Sequence, residues 1–159
     1  MVSVEEKLAA DGLISFKDVE RAMVEMIELW RRSPGSGRGS PWAADAPWDM
    51  GDQPLYGPDV DKDVPLRPAP LTRAEVAVRD AISGWHLLVV ERDRRLVILG
   101  VNQMSRYGYQ SPKFKELRAA MGVTLGADGL RMRYNRAVSA IAQYLNCNAT
   151  ARKAAGLRT

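Results

Sequence analysis

Apolar residues recur at helical spacing through most of this chain, and no strict alternation typical of strands stands out. Val19, Ala22, Met23, Met26, Ile27 and Trp30 follow an i, i+3, i+4 rhythm. Glu20, Glu25 and Glu28 fall on what reads as the opposite, solvated side. Ser15 or Asp18 is placed to cap this helix. Arg31 and Arg32 suit its last turn, and Ser33-Pro34-Gly35 ends it. Thr72-Arg73-Ala74-Glu75 has the form of a capping box. The helix behind it can turn Val76, Ala77, Ile82, Trp85, Leu88 and Val89 to a core, with a bend at Gly84. Glu91 to Arg95 reads as a polar break or an exposed turn. Leu96, Val97, Leu99, Val101 and Met104 then open a further apolar segment, read as helix although its β-branched residues leave strand open. Gly108 and Ser111-Pro112 close it. Two helices remain, at about 113–121 and 128–146, with Gly122 at the stop between them.

The pattern predicts an all-α protein in four parts. Residues 1–32 are an N-terminal helical segment. Residues 33–71 hold eight of the nine prolines, with much glycine and aspartate, and read as a linker or extended wrap. Trp42, Trp48 and Tyr56 argue that this wrap docks, on the helical body or on a partner. Residues 72–146 form the main helical domain. Residues 147–159 are expected to be a basic, mobile tail.

Charge changes this picture more than composition does. The net charge is +4 overall, yet residues 1–32 carry −2, residues 33–71 carry −3 and residues 72–159 carry +9. So uneven a distribution points to a polyanionic partner, nucleic acid before an anionic membrane surface. No apolar run reaches the ~20 residues a membrane span needs, and no signal peptide is evident, so a cytoplasmic chain is expected. The one cysteine, Cys147, excludes an internal disulfide, and with the one histidine, His86, it cannot complete a structural zinc site. Asp59-Val60-Asp61-Lys62-Asp63 lacks the glycine and distant glutamate of a calcium loop. Gly35 to Ser40 lacks the Lys-Ser/Thr end of a phosphate loop. Asn148-Ala149-Thr150 matches a glycosylation site, which means little in a cytoplasmic chain. No triad, paired carboxylates or metal cluster stands out, so neither an enzyme nor a cofactor is expected.

The chemistry concentrates in the last two helices. Leu130, Tyr134, Ala137, Val138, Ile141 and Leu145 make one apolar face, while Asp128, Met132, Asn135, Arg136, Ser139 and Gln143 point away, flanked by Arg131 and Arg133. A short basic helix, a glycine turn and a longer basic helix form the outline of a helix-turn-helix, whose second helix can enter a major groove. Asparagine and arginine there are suited to bidentate contacts with adenine and guanine. The expected base contacts are Arg131, Met132 and Asn135. The expected phosphate contacts are Lys113, Lys115, Arg118, Arg133 and Arg136.

Three stretches carry a family resemblance: Arg92 to Leu99, Phe114 to Thr124, and Tyr134 to Ile141. Together they resemble region 4 of bacterial sigma factors. They resemble still more the phage and prophage regulators sharing this helix-turn-helix, including late-gene activators and an uncharacterised group from alphaproteobacterial prophages. The resemblance spans about residues 72–146. It implies a helical domain that binds double-stranded DNA, uses no cofactor and often contacts RNA polymerase. The sequence departs from the sigma pattern between Gly122 and Leu130, where the turn is about two residues longer. Asp128 is then the expected cap of the final helix. The expected function is sequence-specific transcriptional regulation. The alternatives are a phage small terminase subunit and a protein-interaction module that never touches DNA. A homodimer is compatible, with residues 16–32 as its seam.

Overall fold

The computed structural model describes residues 12–33, 69–124 and 126–157. The Pro-rich wrap with Trp42, Trp48 and Tyr56, the Gly35–Ser40 stretch and the acidic run at Asp59–Asp63 therefore lie almost wholly outside the described residues. Those described form six α-helices and one short 3₁₀ helix, with no strand among them. We number the helices α1 (Phe16–Arg32), α2 (Arg73–Ser83), α3 (Glu91–Tyr107), α4 (Phe114–Met121), α5 (Ala127–Cys147) and α6 (Ala149–Ala154). The 3₁₀ helix, Gly84–Leu88, joins α2 to α3.

Local signals set most of the boundaries. Ser15 caps α1 in a full capping box with Asp18, and Thr72 caps α2 in another with Glu75. Gly84 acts as expected of a weak helix former: regular helix stops at Ser83 and tightens into the 3₁₀ segment. Gly108 and Gly122 adopt φ of 65° and 63°, the left-handed backbone that ends α3 and α4.

At the centre lies α3, where every residue from Leu96 to Met104 is buried. This stretch is covered on every side, its Asn102 and Gln103 included: α1, α4, α5 and the 3₁₀ segment all pack on the helix. Gly100 permits the closest approach. A methyl group there would sit 2.9 Å from Cε2 of Tyr134 and 3.3 Å from Cγ of Pro112.

Four expectations are corrected. Glu91 to Arg95 is not a break but the first turn of α3, with Asp93 buried. Acidic residues suit the positive end of a helix, so the polar run starts the helix instead of interrupting it. Glu20 does not face solvent: it is 4% exposed. The tail folds back as α6, capped by the Asn148 side chain accepting from the N–H of Ala151, with Ala155 buried near α2. Finally, the apolar stripe of α1, offered as a dimer seam, is consumed within the chain. Val19, Met23 and Met26 have no exposure, and α1 packs on α2, α3 and α5.

Candidate nucleic-acid interface

Helix α5 is held to the body by its expected apolar face. Leu130, Tyr134, Val138, Ile141 and Leu145 are fully buried. Two polar anchors add to this. The Tyr134 hydroxyl donates to Oε1 of Glu20 at 2.9 Å, and Lys17 Nζ donates to the other oxygen at 2.6 Å. Phe16 and Phe114 meet the Tyr134 ring edge-on, with centroids 6.3 and 5.6 Å away. Burial, then the charge of Glu20 and its hydrogen bond, push the Tyr134 hydroxyl well above its ordinary value of 10.0.

The second anchor is Arg133. Its guanidinium reaches Oδ1 of Asp93 at 2.6 Å through Nη2 and 2.8 Å through Nε, and also donates to the carbonyl of Arg92. The side chains are 19% and 6% exposed. This corrects the placement of Arg133 among the phosphate contacts: its charge is spent on α3. Asp93, read as part of a turn, is the acid that holds it.

The remaining expected contacts lie outward. Arg131, Met132, Asn135 and Arg136 are all exposed, Met132 by 64%. Arg131 meets only Asp128, at 3.3 Å and in full view of solvent, a pairing of little energetic weight. Asn135 and Arg136 make no hydrogen bond or ion pair with a described residue. On α4, Lys115 and Arg118 are exposed while Leu117 is fully buried. Lys113 is exposed at the N-cap of α4, its N–H bound to Oε1 of Gln103 at 2.7 Å. The structure thus brings seven of the eight expected residues onto the exposed surface of the paired helices α4 and α5.

The turn between these helices is long, from Gly122 to Gly126. Gly126, not Asp128, occupies the N-cap, and Asp128 lies in the first turn of α5. Its carboxylate suits that end of the helix as well as it would suit a cap, which is why the sequence does not separate the two.

Two cations escaped the sequence reading. Arg92 is exposed beside the Arg133–Asp93 pair, and Arg95 reaches the carbonyl of Ala120 at the end of α4, at 3.4 Å. Both extend the positive surface from α3. Their signal was the Arg92-Asp93-Arg94-Arg95 run, once recognised as helix.

Among the described residues no group of three or more His, Cys, Asp or Glu can hold a metal, and no helix is long and apolar enough to cross a membrane. His86 Nδ1 lies 2.7 Å from the carbonyl of Ser83. Cys147 is exposed at the end of α5. Comparison of the chain with models of known families, with curated proteins and with solved structures found no match.

Proposed function

We propose that the chain is a sequence-specific double-stranded DNA-binding protein that acts in transcriptional control. One observation carries this reading: α5 buries its apolar face and both anchors, and turns Arg131, Met132, Asn135 and Arg136 outward together. Arg131 and Asn135 can hydrogen-bond base edges and Met132 can make apolar contact with them, in a groove wide enough to admit a helix. Lys113, Lys115, Arg118 and Arg136 supply sequence-independent attraction to phosphates. Control of phage or prophage genes rests on the resemblance to sigma region 4 and its phage relatives.

Selection of bound duplexes from a random pool, followed by titration of the enriched site, tests it. Arg131→Ala or Asn135→Ala should cost about 1–3 kcal/mol on that site and relax its sequence preference. Affinity should fall steeply with salt, because each neutralised phosphate releases counterions. A flat salt response, or variants that bind like the unaltered protein, overturns the reading.

A protein partner, RNA polymerase among the candidates, is a second reading with its own observation. Leu87 and Val90 are 60% and 67% exposed on adjoining segments, with Arg92 close by. Leu87→Ser with Val90→Ser should leave DNA binding intact and weaken polymerase capture.

A further inference from the structure

Away from the outward face of α5, the end of α3 and the segment joining it to α4 carry a second surface of different chemistry. Tyr107 and Tyr109 stack, with ring centroids 5.4 Å apart and planes 24° from parallel. Tyr107 is 50% exposed. The Arg106 guanidinium lies 5.9 Å from the Tyr107 centroid, and Lys113 Nζ lies 5.1 Å from that of Tyr109. Neither cation makes an ion pair with a described residue.

This surface is held in place rather than draped. Gly108 makes the left-handed turn between the two tyrosines. Lys17 Nζ donates to the carbonyl of Gln110 at 3.2 Å, tying the segment to α1. Pro112 is buried against Gly100. Gln103 accepts the Lys113 N–H, and its amide occupies the nearby carboxylate of Glu116 at 2.6 Å. The rings and cations are therefore presented as a preformed unit, which lowers the entropic cost of binding.

A half-exposed tyrosine ring takes three kinds of occupant: a cation, a proline ridge or a nucleobase. Charge decides between them. A cationic ligand is repelled by Arg106 and Lys113. A proline ridge leaves both cations unused. A nucleotide uses everything present, its base on the ring and its phosphate beside the cations. A base offers its flat face only when it is out of a duplex stack. We propose that Tyr107, backed by Tyr109 and flanked by Arg106 and Lys113, is a stacking site for an unpaired nucleotide of a single strand. The site does not require α5 to read a duplex, although Lys113 belongs to both surfaces.

The test is fluorescence anisotropy of the full chain with labelled oligothymidine and, separately, a blunt duplex. Tyr107→Ala should weaken oligothymidine binding about tenfold, as expected for loss of one stacked base, and leave the duplex unchanged. Tyr107→Phe keeps the ring and should bind like the unaltered protein. Arg106→Gln, a surface change that leaves the rings in place, should weaken the single strand severalfold and flatten its salt dependence. No binding of oligothymidine, or equal binding by Tyr107→Ala, overturns the proposal. So does an equal loss on single strand and duplex, which would make the tyrosine a backbone contact. A proline-rich peptide that needs Tyr107 when oligothymidine does not would assign the ring to a protein. Arg131→Ala, titrated on the enriched duplex site, separates the two readings: if it leaves that binding intact while Tyr107→Ala weakens single-strand binding about tenfold, the α5 reading falls and this one stands.

Discussion

Replacing Tyr134 by Phe removes one oxygen and tests the anchor between α1 and α5. The hydroxyl is wholly buried and donates to a carboxylate at 2.9 Å. A buried hydrogen bond to a charged acceptor contributes about 1.5–3 kcal/mol. The Phe variant recovers the cost of burying the hydroxyl, and Glu20 keeps Lys17 as a donor at 2.6 Å, so a loss of about 2 kcal/mol is expected. For a chain of this size that is a fall in Tm of about 4–8 °C. Urea unfolding followed by circular dichroism measures it at neutral pH. The alkaline limb supplies an independent check. In the folded chain Tyr134 keeps its proton well past the ordinary value of 10.0, while the unfolded chain releases it there. The folded state then binds more protons, so stability falls as pH rises from about 10 through the raised folded value, by up to ~1.4 kcal/mol per pH unit. The Phe variant lacks this contribution. Lysine titration is common to both proteins and cancels in the difference. The two stability curves should therefore converge above pH 10. Equal stability at neutral pH, together with parallel alkaline limbs, would refute the buried Tyr134–Glu20 contact.

Asp93→Ala leaves the Arg133 guanidinium facing a partly buried space and should cost about 2 kcal/mol in urea unfolding, less than a fully buried pair because Arg133 retains some solvent. Asp93→Leu combined with Arg133→Met should recover most of that loss; no recovery would mean the pair contributes more than compensation of charge. Gly100→Ala should destabilise by about 1 kcal/mol, because the methyl at 2.9 Å from the packed Tyr134 ring outweighs the gain in helix propensity. Gly129→Ala is its counterpart: nothing lies within 4 Å, so the same change should stabilise α5 by about 0.5 kcal/mol. Thermal melts of the two variants should move in opposite directions, and movement in the same direction would contradict the packing around Gly100.

What could be read from the chain was what local sequence controls. The two capping boxes, the stops at Gly108 and Gly122 and the apolar face of α5 each depend on residues within a turn or two of one another. The unread features depend on distant partners or lack a local mark. Glu20 sits on a helix where a glutamate is normally solvated, and only Tyr134, 114 positions later, explains its burial. Asp93 similarly waits for Arg133, 40 positions on. The start of α3 carries no capping side chain, since Val90 occupies the cap, so a charged first turn reads as a break. Asn148 matched a glycosylation pattern, but its side chain caps α6. Of the candidate contacts, exposure followed from the helical period. The exception, Arg133, was indistinguishable from Arg131 until its tertiary partner was known.

That exception gives the recognition proposal its mechanical content. Successive residues of a helix project about 100° apart, so anchoring both Arg133 and Tyr134 fixes the rotation of α5 about its own axis. Arg131 and Asn135 lie two positions either side of Arg133, and each therefore projects about 160° away from it. Met132 and Arg136 stand in the same relation to Tyr134. The four exposed side chains are thus aimed by two polar contacts on the opposite side of the helix, one to α3 and one to α1. A purely apolar face tolerates small rotations, because dispersion contacts are numerous and undirected. Hydrogen bonds to base edges do not, since their strength falls steeply with angle. On this argument Glu20 and Asp93 are positioning residues for the outward face. Asp93→Ala, beyond its effect on stability, should narrow the gap between specific and random duplex, lowering the affinity for the specific site while the freed Arg133 raises the affinity for random duplex. An equal loss on both would show that Asp93 supports only the fold.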